Sequence, residues 1–250
     1  SSYGGGLVDY LVGDDYVLPK PEDPAIPEKV LRLQGTYQIN DHRHYEVFQN
    51  RLGRKRDLTS NNRFKFGSLN NINKLSLDVW DAWMHILKEC PSSELHILHP
   101  GIPAIQNIVK ITQQYGVSPS RLHWLPKLNQ KEHLERLDTL DLILDSWPYG
   151  GHTTTSDALA AGVPVLTLKG KNFAGRVSGS LLKAAGLGRS LIAPTVADYV
   201  TTACSLYQNP EQMQLIESFM SEHLPKCELF DSLARTRSLE AEIVRLVDEV

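Results

Sequence analysis

The sequence predicts an α/β protein built on a doubly wound parallel sheet. Short apolar runs recur from about residue 60 onward, namely LHIL (95–98), LHWL (122–125), DLILD (141–145), VPVLTL (163–168) and SLIA (190–193). Stretches with apolar residues at helical spacing separate these runs, at about 103–115, 130–138, 153–161 and 173–185. Such alternation is typical of right-handed βαβ crossovers that cover both faces of a parallel sheet.

Further strands and helices are predicted before and after these five apolar runs. NRFKFGSL (62–69) predicts a strand that enters a polar loop, and LDVWDAWMHILKEC (77–90) predicts a helix. Three more helices are expected in the tail, at 196–208, 210–224 and 232–250. The first 30 residues are expected to be irregular because prolines recur too densely for a helix, and one strand is expected within 29–56. The pattern thus places an α/β domain at about 60–225.

Composition narrows the classes of partner. Apolar residues make up 41% of the chain, which is enough for a core, and a net charge of −3 gives no reason to expect nucleic-acid binding. A basic cluster is better explained as a solvated loop or linker, because no aromatic stacking platform accompanies it. Its members are Arg51, Arg54, Lys55 and Arg56. No run approaches twenty apolar residues, so no membrane span is expected.

Cysteine and histidine usage argues against a disulfide framework and a metal site. Cys90, Cys204 and Cys227 are odd in number, far apart and without CxxC spacing, which favours a reducing cytoplasm. His42 and His44 alternate as on a strand, and no carboxylate lies at a convincing metal-ligand spacing. The sequence therefore predicts no metal, and for His42 it leaves a structural and an active-site role open. The Ser-Ser start suggests a processed chain or a fragment of a longer one.

The segment WPYGGHTTTSD (147–157) lies between a predicted strand and a predicted helix. The first turn of a helix carries unpaired N–H groups and partial positive charge, so it favours an anion such as a diphosphate. Gly150 and Gly151 would let the backbone approach a ligand. Asp157 follows Thr153 by about one turn and would suit ribose hydroxyls. In the alternative interpretation, the threonines only cap the helix.

Two more predicted loops carry polar side chains. GSLNNINKLS (67–76) contains Asn70, Asn71 and Lys74, and the lysine could neutralise phosphate charge, although ordinary turn chemistry explains this loop equally. PKLNQKEHLERLD (126–138) places His133 and Arg136 three residues apart, on one helix face. A planar ring beside a planar guanidinium could hold a nucleobase, whereas isolated His and Arg residues are also common on helix surfaces.

These motifs together resemble a known family. GGHTTTSDALAAGVPVLTL and FAGRVSGSLLKAAGL, with FGSLNNINKLS upstream and KEHLERL between, resemble the catalytic C-terminal half of the O-GlcNAc transferase family. The similarity is strongest to its bacterial and plant-like members, the TPR-linked protein glycosyltransferases. Three motifs occur in the family's order and spacing across about 60–190, and weaker similarity extends to LVDYLVGDD, YQINDH and the C-terminal helix. Asn71 departs from the family, which frequently has Gln there.

The resemblance implies a GT-B fold, with two Rossmann-like domains facing a cleft, and a role for each matching residue. Lys74 and His42 would be catalytic, with Lys74 stabilising the departing nucleotide. Asn71, Lys74, His152, Thr153 and Thr154 would lie at the diphosphate, His133 and Arg136 at the uracil, and Asp157 at the ribose. The implied UDP-sugar-binding set is Asn70, Asn71, Lys74, His133, Arg136, Gly151, His152, Thr153, Thr154 and Asp157, without a metal.

The implied domains are the end of an N-terminal catalytic domain with a linker (1–58), a UDP-sugar-binding Rossmann-like domain (59–225) and a C-terminal helix (226–250). Most of the N-terminal half, and the TPR repeats, would then lie upstream of this chain.

The implied activity is inverting, metal-independent transfer of N-acetylglucosamine from UDP-GlcNAc to Ser or Thr hydroxyls of an acceptor protein, by a cytoplasmic enzyme. Two alternatives stay open: a non-catalytic UDP-sugar-binding module, and a related glycosyltransferase that uses another sugar or an Asn acceptor.

Overall fold

The computed structural model describes residues 4, 6–50 and 63–248. The basic cluster at 51–56 and the predicted domain division at 58/59 lie outside the described residues, and the division at 225/226 stays a prediction. Within the described residues the strands are β1 (Tyr10–Gly13), β2 (Lys29–Arg32), β3 (Phe64–Ser68), β4 (Ser93–Leu98), β5 (Leu122–Leu125), β6 (Leu142–Leu144), β7 (Val165–Leu168) and β8 (Ile192–Ala193). The α-helices are α1 (Glu46–Asn50), α2 (Leu77–Glu89), α3 (Ile102–Gln114), α4 (Gln130–Leu137), α5 (Thr153–Ala160), α6 (Phe173–Ala184), α7 (Gly188–Leu191), α8 (Val196–Gln208), α9 (Pro210–His223) and α10 (Ser232–Asp248).

Six strands form one parallel sheet in the order β5-β4-β3-β6-β7-β8. The doubly wound α/β fold predicted from the alternating pattern is therefore confirmed. The chain builds outward from β3 through β4 to β5, and then returns to the other side of β3 with β6, β7 and β8. The direction of winding reverses between β3 and β6. In open parallel sheets this switch point opens a crevice at the carboxyl ends of the strands, where ligands bind.

The helix α2 has the apolar face that its sequence predicts. Its apolar residues recur at helical spacing, Ser76 caps its first turn by accepting from the Val79 N–H, and its apolar face lies against the sheet and α8. Five positions that the spacing marked as one face are all buried: Val79, Trp80, Trp83, Ile86 and Leu87. Burial of these side chains fixes the orientation of α2 and hence of the loop that enters it from β3.

The expectation of an irregular first 30 residues is wrong in part. β1 and β2 pair in parallel, with Tyr10 opposite Lys29 and Gly13 opposite Arg32. The prolines act as expected on the connection, which contains a short 3-10 helix at Lys20–Ala25 rather than an α-helix. A two-stranded pair is too small to be stable alone, and here Leu31 is buried while Leu11 and Val30 pack against the main core. The pairing of β1 with β2 is therefore stabilised by packing against the rest of the protein.

The N-terminal segment is fastened to α6 by a buried carboxylate. Asp14 accepts hydrogen bonds from the Ser180 hydroxyl at 2.6 Å and from the Tyr37 N–H at 3.0 Å. On the same helix, Arg176 forms an ion pair with Glu22 at 2.5 Å. These contacts join residues 14–37 to the α/β domain and so position the residues that follow. None of the described helices is both long and apolar enough to cross a membrane.

Tyr199 on α8 joins three elements through its hydroxyl group, and its side chain is fully buried. The hydroxyl donates to the Asp145 carbonyl oxygen at 2.9 Å and accepts from Trp83 Nε1 at 3.3 Å. Burial raises the pKa of this phenol well above its ordinary value, so it stays protonated. The end of β6 is thereby held to α2 and α8.

We expect Tyr199→Phe to lower the free energy of unfolding by about 1–3 kcal/mol, because it leaves a buried carbonyl and a buried indole N–H without their partner. Urea unfolding measures this change. Tyr207→Phe is the matched control, since Tyr207 lies on the same helix and its hydroxyl accepts from the exposed Ser92 N–H. Equal effects of the two substitutions would contradict the assignment.

Candidate functional site

The loops after β3 and β6 meet at the switch point of the sheet. Asn70 follows β3, and its amide Nδ2 donates to Asp145 Oδ1 and to Ser146 Oγ, both at 3.0 Å. The hydroxyl of Thr154, in the first turn of α5, donates to Asn70 Oδ1 at 2.7 Å. The structure therefore brings together two loops that lie far apart in the sequence, at the edge where a ligand is expected.

Asp145 is the centre of this arrangement, and sequence reasoning assigned it no role. It is 1% exposed. Its Oδ1 accepts from the N–H groups of Ser146 and Gly151 at 2.9 and 2.7 Å, as well as from Asn70, while its Oδ2 accepts from the Thr167 hydroxyl at 2.7 Å. The sequence feature that could have pointed to Asp145 is its position at the end of the apolar run DLILD. A carboxylate at the end of a buried strand needs several hydrogen-bond donors around it.

The two glycines serve the packing of the β6–α5 loop. A Cβ on Gly151 would lie 2.5 Å from Thr155 Oγ1 and 2.7 Å from Thr154 Oγ1, and one on Gly150 would lie 3.0 Å from Asp145 Oδ2. The Gly151 N–H points to Asp145. These glycines are therefore required by the approach of protein side chains, in addition to any approach of a ligand.

The start of α5 has no side-chain cap. His152 occupies the N-cap position without a capping hydrogen bond, and Thr153–Thr155 lie within the first turn. The alternative in which the threonines merely cap the helix is therefore wrong. By contrast, Asn129 caps α4 and Asn172 caps α6. The N–H groups of Thr155 and Ser156 donate to the His152 carbonyl oxygen at 3.1 and 3.2 Å, so Thr153 and Thr154 supply the first-turn N–H groups that have no acceptor within the helix and carry partial positive charge.

Lys74 lies beside this helix start. Its ammonium group donates to the Gly150 carbonyl oxygen at 3.0 Å and lies 4.2 Å from the centre of the Tyr149 ring. Burial lowers the pKa of Lys74 from its ordinary value, and the Asp145 carboxylate opposes that effect. A cation is therefore held next to the uncapped N-terminus of α5, which adds to the positive potential there.

Asn71 and His152 make local contacts. Asn71 is exposed, and its side chain accepts from the Asn73 N–H at 3.0 Å, which is the turn chemistry that the sequence left open. His152 Nε2 donates to the Ala174 carbonyl oxygen at 3.2 Å, and its ring stacks on Tyr149. Burial lowers the pKa of His152 below its ordinary value, and Lys74 acts in the same direction.

A second cluster forms around Asp157, one turn further along α5. The carboxylate is 3% exposed. Its Oδ1 lies 2.7 Å from His42 Nε2 and 3.2 Å from Gln130 Nε2, and its Oδ2 lies 3.5 Å from His133 Nε2. Burial opposes ionisation of Asp157, but the hydrogen bonds from His133 and His42 outweigh it and hold the pKa below the ordinary value. Gln130 was missed, although it lies on the same face of α4 as His133.

His133 and Arg136 do share a face of α4, as their spacing predicted. Arg136 Nη2 lies 3.1 Å from His133 Nδ1. A guanidinium only donates, so Nδ1 is the acceptor and Nε2 carries the proton that faces Asp157. Arg136 also donates to the Pro126 carbonyl oxygen, and burial lowers the pKa of its guanidinium. The pair is therefore fixed in orientation.

His42 reaches this cluster from the N-terminal segment. Its ring packs edge-on against Phe230, with ring centres 5.4 Å apart, and it is 7% exposed. Among the described residues its Nδ1 is buried without a hydrogen-bond partner. With Nε2 directed at Asp157, the second nitrogen is the open position of the ring.

Comparison with known proteins identifies the family. A family model described as Glycosyl transferase family 41 matches residues 51–239. The chain belongs to this family. The predicted relationship to the O-GlcNAc transferases is confirmed, and the chain corresponds to their C-terminal portion.

Relatives of family 41 match most of this chain, but the chain spans a quarter or less of their length. It is 30% identical over 247 residues to an Arabidopsis thaliana protein named probable UDP-N-acetylglucosamine–peptide N-acetylglucosaminyltransferase SEC, covering 97% of this chain and 25% of that protein. A Caenorhabditis elegans UDP-N-acetylglucosamine–peptide N-acetylglucosaminyltransferase is 30% identical over 218 residues, covering 78% of this chain and 19% of that protein.

Solved structures of glycosyltransferases share the fold. An O-GlcNAc transferase mutant of Thermobaculum terrenum superposes with a TM-score of 0.82 at 27% identity, covering 95% of this chain and 45% of that one. WaaG, a glycosyltransferase involved in lipopolysaccharide biosynthesis, matches with a TM-score of 0.54 at 14% identity, covering 83% of this chain and 52% of that one, and it shows the fold alone. The predicted fold class, the Rossmann-like C-terminal half of a GT-B enzyme, is confirmed.

We expect Asp145→Asn to lower the free energy of unfolding by about 2–4 kcal/mol. The amide replaces one acceptor oxygen with an NH₂ donor among four donors, and hydrogen bonds to a charged group contribute about 1.5–3 kcal/mol each. Urea unfolding measures the loss. Asp198→Asn is the control, because Asp198 is exposed at the start of α8 and accepts from Thr195. A loss no larger than the control's would remove Asp145 from the centre of the site.

Proposed function

We propose that this chain is the donor-binding half of a protein glycosyltransferase that moves N-acetylglucosamine from UDP-GlcNAc to serine or threonine hydroxyls. One observation carries the proposal: the uncapped N-terminus of α5 lies beside Lys74 at the switch point of the sheet. The names of the relatives support the same donor and reaction class.

The diphosphate is assigned to the start of α5. The first-turn N–H groups and the helix dipole attract an anion, and Lys74 adds a point charge next to them. His152, Thr153 and Thr154 surround the same helix start, where the Thr153 hydroxyl can donate to a phosphate oxygen while the Thr154 hydroxyl donates to Asn70. Gly151 contributes to the diphosphate site by turning the backbone so that its N–H donates to Asp145 just before α5 begins. Asn70 links the loop after β3 to the same carboxylate.

The ribose and the base are assigned to the Asp157 cluster. An ionised carboxylate accepts hydrogen bonds, and the lowered pKa of Asp157 keeps it ionised at neutral pH. Ribose hydroxyls would replace Gln130 as donors to its oxygens. His133 and Arg136 project from the neighbouring face of α4, where a ring and a planar guanidinium can pair with uracil.

The chemistry we propose is inverting and independent of a metal. Charge develops on the departing diphosphate in the transition state, and Lys74 with the α5 N-terminus supplies positive charge at that point. His42 is the proposed proton-handling group, because Asp157 holds one ring nitrogen and leaves Nδ1 as an acceptor. We further propose that the acceptor protein binds across a cleft completed by an upstream catalytic half, with TPR repeats, in a longer cytoplasmic protein.

Calorimetric titration of this chain with UDP in EDTA tests the donor site. We expect saturable binding, and Lys74→Ala should weaken it about 10- to 150-fold, the equivalent of about 1.5–3 kcal/mol for one charged hydrogen bond. Lys110→Ala is the control, since Lys110 is exposed on α3. In the full-length protein, Lys74→Ala should reduce transfer to a peptide more than it reduces UDP affinity. Wild-type affinity and turnover in Lys74→Ala would exclude the assignment, and a strict Mg²⁺ requirement would exclude metal-free chemistry.

The ribose assignment predicts a change in discrimination between nucleotides. Wild-type protein should bind UDP about 10- to 150-fold more tightly than 2′,3′-dideoxy-UDP, since the analogue cannot form the hydrogen bonds from the two ribose hydroxyls to a charged carboxylate. Asp157→Ala should weaken UDP binding and bind both nucleotides with similar affinity. Far-ultraviolet circular dichroism checks that the variant is folded. If Asp157→Ala discriminates as strongly as the wild type, the ribose lies elsewhere.

A further inference from the structure

Three potential metal ligands lie together on one face of the sheet, on strands β4 and β5. Glu94 and His96 are two residues apart on β4, so their side chains share a face. His123 on the edge strand β5 is directly opposite His96 in the parallel register. The loops of the proposed donor site follow the carboxyl ends of β3 and β6, so this cluster is separate from it.

The spacing of the three groups matches a metal coordination sphere. Glu94 Oε2 lies 3.4 Å from His96 Nε2 and 3.2 Å from His123 Nε2. One ligand atom from each residue lies within 4.8 Å of the other two. Zinc bonds of 2.0–2.1 Å in a tetrahedron separate neighbouring ligands by about 3.3 Å. Two of the three separations already have that length, so little movement is needed to close the site.

Both imidazole nitrogens that face the carboxylate lie at ion-pair distance from it, but they form no well-aligned hydrogen bond with any described residue. Among the described residues, His96 Nε2 and His123 Nε2 are buried without a partner of adequate geometry. The rings stack with 15° between their planes and centres 4.6 Å apart, which directs both nitrogens the same way. Buried polar atoms are nearly always paired, and an ion would satisfy both of these at once.

Only one oxygen of the Glu94 carboxylate, Oε2, faces the two histidines and could bind an ion. Arg63 approaches the other oxygen, Oε1, at 3.4 Å. Lys65 is opposite Glu94 in the register of β3 and β4, and its positive charge opposes cation binding, so the site needs ligands that bind by more than charge. Two imidazoles and one carboxylate suit zinc and neighbouring transition metals, whereas calcium and magnesium prefer oxygen ligands alone.

We propose that Glu94, His96 and His123 bind a divalent transition-metal ion of the zinc class, with water at the fourth position. The ion clamps the edge strand β5 to β4. A bound metal here differs from the sequence-based expectation of none, which rested on the cysteine pattern, on the spacing of His42 and His44, and on the family resemblance. A Glu-x-His pair and a histidine 27 positions later have no local signature, because the β4–β5 pairing alone brings them together. The proposal is independent of the proposed function.

Zinc titration of the untagged, EDTA-stripped and dialysed chain tests this site. Calorimetry should show one saturable Zn²⁺ equivalent and an upward shift of the thermal unfolding temperature, since an ion that binds only the folded state stabilises it. Cobalt substitution should give the visible absorption bands of tetrahedral coordination. His123→Ala and Glu94→Gln should each weaken binding by at least about tenfold, because even residues outside the ligand shell change metal affinity by that factor.

His85→Ala is the matched control, because His85 is exposed on α2 beside Asp81. It should bind Zn²⁺ as the wild type does. Glu94→Gln preserves side-chain size and so separates loss of a ligand from loss of folding, which circular dichroism monitors. The proposal is overturned if the wild type shows no saturable binding, or if folded Glu94→Gln and His123→Ala bind as tightly as the wild type. UDP titration of the same stripped chain reports separately on the donor site.

Discussion

The site depends on the buried carboxylate of Asp145. It lies where β6 ends, and its four donors come from the loop that follows it, from Asn70 after β3 and from Thr167 on β7. A buried charge is stable only when donors surround it, so the loops must take positions that supply them. The shape of the crevice at the switch point is therefore set by the hydrogen-bonding demand of one side chain.

This demand explains the composition of the β6–α5 loop. Glycines let the threonine hydroxyls and Asp145 approach the backbone closely. The Tyr199 hydroxyl donates a hydrogen bond to the Asp145 carbonyl oxygen and so fixes the start of the loop. Because the loop is secured by these contacts rather than by a cap, the first turn of α5 keeps its positive end available. Asn70 and Lys74 then meet this helix from a loop that follows a different strand.

The N-terminal segment and α4 contribute the second half of the site. Asp14 fastens the segment to α6, and His42 at its end reaches Asp157 beside His133. Arg136 sets the tautomer of His133, so the imidazole N–H faces the carboxylate. One helix, α5, thus carries both parts: its start faces the phosphate position, and Asp157 one turn later contacts the N-terminal segment and α4, which are distant from it in sequence.

The sequence by itself determined the alternating pattern, the buried face of α2, the shared face of His133 and Arg136, and the polar loops at strand ends, because helical and strand periodicity are local properties. Only the tertiary structure decided which loops meet, since this depends on strand order. It placed Asp145 at the centre, added Gln130 to Asp157, left Asn71 in a turn and paired β1 with β2 against the core. It also brought Glu94, His96 and His123 together, because register between two strands is fixed by the packing of the whole sheet.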